Sequence, residues 1–164
     1  MMLFRSLAAA VLVALPAACT AVSTYPPTAG TTKQTPNVSP GPEVMAGAIR
    51  EAARTTGNTG PIVFNLPAGL DEKTWNWVER LLPEGARRMQ QGDTNAFSVQ
   101  QLRVSGGTAE VDVVYPERGV YQMMTVRFSG GPFQPYRVAS AYRWRIPSAT
   151  PIASAPNVEP AAVD

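Results

Sequence analysis

The sequence predicts an α+β domain: an antiparallel four- to five-stranded meander sheet covered on one face by two helices. Three observations predict it. Residues 101–146 alternate apolar and polar with period two, the mark of half-buried strands. Turn-forming residues interrupt that alternation at intervals. Two stretches ahead of it carry apolar residues at helical spacing instead.

The meander comes first because its turns fix its registers. Gly106-Gly107 suits the positive φ angles of a two-residue hairpin, which sets Val104 opposite Ala109 and Leu102 opposite Val111. A second turn falls at Pro116-Glu117-Arg118-Gly119, which sets Val113, Val111 and Ala109 opposite Gln122, Met124 and Val126, and a third falls at Ser129-Gly130-Gly131-Pro132. The register expected after the third turn sets Val126 against Val138 and Met124 against Ser140. One face then collects Leu102, Val104, Ala109, Val111, Val113, Met124, Val126, Val138, Tyr142 and Trp144. The other collects Gln101, Arg103, Thr108, Glu110, Asp112, Thr125, Arg127, Arg137, Arg143 and Arg145. A one-residue slip would mix the two faces, so the pattern specifies its register.

Ahead of the meander, Val44, Met45, Ala48, Ile49 and Ala52 form the stripe of a first helix. Pro42 fits its first helical position and Gly57 its C-terminus. Ile62-Val63-Phe64 suits a short strand. Asp71 is a good N-cap for a second helix carrying Trp75, Val78, Leu81 and Leu82, which stops before Pro83. Residues 83–96 read as irregular. The element order resembles that of the cone-shaped folds related to nuclear transport factor 2, a likeness of topology that no motif accompanies.

The chain opens as an export signal. Arg5 supplies a positive start, residues 7–15 are apolar, and Ala17-Ala18 follow. The apolar run is shorter than the roughly 20 residues that span a bilayer. The run Leu15-Pro16-Ala17-Ala18-Cys19 resembles the lipobox of bacterial lipoproteins. Pro16 stands where that family carries Leu, Val or Ile, with Leu15 one place further back. The resemblance covers the first 19 residues only. It implies that Cys19 is acylated with palmitate-type chains and becomes the mature N-terminus. Thr20 stands where an Asp would mark inner-membrane retention in some such bacteria, so the outer membrane is favoured. The alternative is ordinary cleavage near Ala18 or Ala21, leaving a secreted or periplasmic protein.

These features divide the chain into a signal peptide (1–18), a lipidated Cys with a disordered Pro/Thr-rich linker (19–41), the α+β domain (42–147) and a disordered C-terminal tail (148–164).

Composition narrows the chemistry. The chain has no histidine and one cysteine, Cys19. That removes the commonest general base and metal ligand, and any internal disulfide. No phosphate-cradling glycine loop precedes a helix. Glu110 and Asp112 share a strand face, but Arg103 and Arg127 stand beside them, so ordinary cross-strand ion pairs are expected. No catalytic residue, metal or cofactor is expected. Without Arg5 the mature chain holds 13 basic and 12 acidic side chains, which gives no drive toward nucleic acid.

Arg127, Arg137, Arg143 and Arg145, with Arg118 at a nearby turn, form the one concentrated charge pattern. They suit an anionic cell-wall or lipid partner, or an envelope protein. The expected role is therefore that of a membrane-anchored envelope protein that binds a partner or supports structure. The alternative is a ligand-binding or enzymatic cone-like domain, with Gln122, Ser140 and Tyr142 as the polar groups of a pocket between sheet and helices.

Overall fold

The computed structural model describes residues 22–131 and 133–157. The signal peptide and Cys19 lie outside the described residues, as does the end of the C-terminal tail. The fold is mixed α+β, as the alternation predicts. Its sheet has eight strands rather than four or five.

The helices form where expected. Helix α1 (Gly41–Thr56) buries Val44, Met45, Ala48, Ile49 and Ala52, and Gly57 ends it in the left-handed conformation. Helix α2 (Glu72–Leu81) is capped by the Asp71 carboxylate, which accepts from the Thr74 N–H at 2.8 Å. Its Trp75 and Val78 are fully buried, and the Trp75 ring lies 5.9 Å from that of Phe64.

Four long strands form the meander: β5 (Phe97–Ser105), β6 (Thr108–Glu117), β7 (Val120–Gly131) and β8 (Gln134–Ser148). The β5–β6 hairpin has the predicted register, with Val104 opposite Ala109 and Leu102 opposite Val111. The β6–β7 turn is Arg118-Gly119, and both residues take positive φ (52° and 82°). The pairing behind it shifts by two residues from expectation, to Val113–Met124 and Val111–Val126. A two-residue shift preserves the faces. Leu102, Ala109, Val111, Val113, Met124 and Val126 accordingly form the floor on which α1 packs.

The additional strands come from stretches expected to be irregular. Within the expected linker, β1 (Ser23–Tyr25) pairs antiparallel with β5, and β2 (Thr32–Lys33) pairs parallel with β1. Tyr25 supplies the reason: it buries its ring and donates its hydroxyl to the Ala68 carbonyl at 2.7 Å. Asn37, from the same stretch, bridges Asp71 and Thr74 at the start of α2. Residues 23–37 therefore belong to the folded unit. The predicted strand is β3 (Val63–Asn65), which pairs parallel with β5 and with β4 (Arg87–Arg88). Arg88 lies 5.5 Å over the Trp75 ring and binds Glu72, Asn76 and Glu79 of α2.

The expected C-terminal tail is also placed as far as residue 157. Ser148 still pairs with Tyr121, and beyond it the chain straps back to β3. Asn65 holds this strap in the manner of a neighbouring strand. Its amide donates to the Ile152 carbonyl at 3.0 Å, and its oxygen accepts from the Ser154 N–H at 3.0 Å. Ala153 packs on Val63, Met89 and Ala96, and the Asn157 N–H donates to the Leu70 carbonyl at 2.8 Å. The proline-rich composition disfavours a core but does not prevent a strap whose partners lie elsewhere in the chain.

Because Asn65 is buried and also bonds Ser98 at 3.1 Å, Asn65→Ala leaves several polar groups unpaired. The expected loss is about 1–3 kcal/mol in urea unfolding, with fast exchange of the Ser154 amide. An unchanged Ser154 exchange rate would show that the clasp does not hold the strap.

Candidate functional site

The fourth meander strand breaks the predicted pattern. Bulges near the hairpin end and at Ala139 each add a residue to β8, moving its pairing to Met124–Arg143 and Thr125–Tyr142. Val138 keeps its expected face but pairs with Phe128 rather than Val126, and it is exposed there. Past Ala139 the faces exchange. Tyr142 and Trp144, expected on the apolar face, stand with Thr125 and Met123 on the outer face. Arg143, expected outside, shares the inner side with Met124. A larger bulge then leaves Arg145 and Ile146 without ladder partners, between Met123–Trp144 and Gln122–Pro147.

The four arginines therefore do not share one face. Arg127 and Arg137 stay outside, Arg127 lying 3.9 Å from Glu110. Arg143 grips Glu117 with one terminal nitrogen against both carboxylate oxygens, and its Nε donates to the Tyr115 hydroxyl at 3.0 Å. The Arg143 guanidinium lies 5.7 Å from the Tyr115 ring, a cation–ring contact.

A basin of about 810 Å³ opens here, lined by Glu117, Arg118, Gln122, Tyr142, Arg143 and Arg145. Two of the three predicted pocket residues, Gln122 and Tyr142, meet in it. Ser140 stands apart, exposed and paired with Arg127. The basin does not lie between sheet and helices as expected. That interface is filled by Trp75, Met45, Ile49, Leu102 and Met124, all fully buried.

The outer face carries a polar ladder across four strands. Arg103 binds Asp112 through two nitrogens, at 2.6 and 2.9 Å, and reaches Glu110 at 3.3 Å. Thr125 donates to Asp112 at 2.6 Å, and the Trp144 indole donates to Thr125 at 2.9 Å. The expected charge pairing of Glu110 and Asp112 is present, with Asp112 as its centre. Beside the ladder, Tyr142 and Trp144 pack edge to face at 4.7 Å, Tyr142 being 61% exposed.

As a whole, β8 is the outermost strand at its side of the sheet, and most of its 15 residues are exposed. Val138, Tyr142, Trp144 and Ile146 all stand in solvent. An edge of this length offers unpaired backbone groups to another chain. Among the described residues, no group of three or more acidic, histidine or cysteine side chains is arranged to hold a metal. No described helix is long and apolar enough to cross a membrane.

Glu117 and Tyr115 were not singled out from sequence. Their signal is weak: Tyr115 continues the apolar face one step past Val113, and Glu117 borders a turn.

The Arg143 hydrogen bonds hold the Glu117 carboxyl below the ordinary carboxylate range. A lowered carboxyl contributes stability above its unfolded value near 4.3, lost as pH falls through the folded value. In a carbon-detected NMR titration Glu117 should titrate below the ordinary glutamate value of about 4.3. Arg143→Ala should raise it toward that value; an unmoved Glu117 would show that Arg143 is not the cause.

No protein-family model matches this chain, and no curated protein or solved structure matches it either.

Proposed function

We propose that this chain is a lipid-anchored, non-catalytic protein of the bacterial cell envelope that binds a protein partner along β8. The observation that carries the reading is β8 itself: long, outermost, exposed on both faces, and rich in arginine and aromatic side chains. Strand addition takes its affinity from backbone hydrogen bonds and its specificity from side chains on either face.

The charge on β8 selects the partner. Residues 134–148 include Arg137, Arg143 and Arg145 and no acidic residue. A second copy of β8 would set arginines against arginines, which disfavours self-pairing. An extended segment bearing Asp or Glu complements it.

Topology agrees with an anchor at Cys19. The cysteine precedes β1 by four positions, too short a span for a long spacer. The sheet order β1-β5-β6-β7-β8 puts β1 and β8 four strand spacings apart, roughly 19 Å. An acyl anchor just ahead of β1 holds that side of the sheet to the lipid and turns β8 away from it. Two or three acyl chains hold firmly where one binds only marginally.

Intact mass of the protein from bacterial membranes should show acyl groups on Cys19, absent from Cys19→Ser. A photoreactive residue at position 142 should yield a discrete cross-linked adduct that the same residue at position 54, on α1, does not. An unmodified N-terminus would overturn the anchor, and equal labelling from both positions would overturn β8 as the docking strand.

A further inference from the structure

We propose a second, independent binding site: the basin beside the β6–β7 turn takes a phosphate monoester that also carries a hydroxyl group. Two separate irregularities of the backbone bring arginines to this one place. Arg118 occupies the first position of a two-residue turn at φ 52°, a conformation that glycine or asparagine adopts more readily. Arg145 sits in the unpaired bulge of β8, a feature that re-aims side chains out of the ladder. Either irregularity alone would be unremarkable for an exposed hairpin. Their convergence on a basin that Arg143 also lines is not required by the packing of the core.

The charges in the basin define the ligand. Arg143 is matched by Glu117, so that pair is close to neutral. Arg118 and Arg145 make no hydrogen bond or ion pair among the described residues; they act on Glu117 only through space. Two positive charges are left to meet an anion within one small volume. A phosphate monoester carries about −1.5 to −2 charge at neutral pH on a single group, and its oxygens fit the guanidinium fork. A dicarboxylate spreads the same charge over two separated groups.

The neutral lining completes the match. Gln122 accepts from Tyr115 at 3.4 Å through its carbonyl oxygen, which leaves its amide free to donate. Tyr142 also lines the basin. Glu117 keeps lone pairs beyond those used by Arg143, so it can accept from a ligand hydroxyl. Glycerol 3-phosphate is the simplest probe with this chemistry, and a lipid headgroup presents the same pair of groups when its phosphate is terminal.

The test is calorimetric titration of the full chain in detergent at low salt with glycerol 3-phosphate, and separately with succinate. Saturable binding of glycerol 3-phosphate is expected, with Arg118→Gly and Arg145→Ala each weakening it roughly tenfold. Arg118→Gly suits the turn better than arginine, so lost binding in that variant cannot be ascribed to lost folding. Arg54→Ala, on α1 and outside the basin, should bind as the parent does. No saturable binding, succinate bound as tightly, or equal weakening by Arg54→Ala would each overturn the site. Competition by detergent micelles carrying phosphatidylglycerol phosphate, whose headgroup keeps a terminal phosphate and a hydroxyl, but not by micelles carrying phosphatidylcholine, identifies a headgroup as the source of the phosphate. Binding indifferent to both identifies a soluble one, and either result upholds the site.

Discussion

The width of one helix limits how much of this sheet can be covered. An α-helix is about 10 Å across with its side chains, and neighbouring strands lie about 4.8 Å apart, so a helix shields roughly two strands. Helix α1 spends that cover on β5 and β6 and only grazes β7 and β8. Helix α2 packs on α1 instead of extending the layer toward β8. The N-terminal strands close the opposite edge, and the C-terminal strap binds β3. Apart from that graze, nothing among the described residues covers β8, and the exposure and irregularity of that strand follow from this.

An uncovered strand is free to be irregular. In β6 a bulge would throw apolar side chains off the floor beneath α1, which is why its pairing with β7 runs without interruption. In β8 bulges cost little, because most of its side chains are solvated on either face. They turn an arginine inward to Glu117 and leave Arg145 outside the ladder. The same freedom exposes Tyr142 and Trp144 together on the outer face. Proline at 135 and 147 and arginine at three positions also make β8 a poor template for indiscriminate pairing.

Much of this was legible in the sequence because burial enforces it. Both helices, their caps, the β5–β6 register and the inner face of β6 follow from apolar spacing and turn residues. Legibility ends where burial ends. The apolar look of Tyr142 and Trp144 suggested an inward face, but the bulge at Ala139 has no sequence signal and exchanges the faces beyond it. The strands near Tyr25 and the strap past Ser148 were hidden for another reason: their partners, Ala68 and Asn65, lie far away in the chain. The arginines were visible as a cluster, whereas their division between an outer face and a basin depended on those same bulges.

The central claim is that β8 is an uncovered edge strand, and hydrogen exchange of the full chain tests it most directly. Amides of β6 are expected to exchange only through global opening, while outward-pointing amides of β8 exchange orders of magnitude faster. Uniform slow exchange along 134–148, matching β6, would contradict the account, because it would mean that another chain or segment already covers this edge.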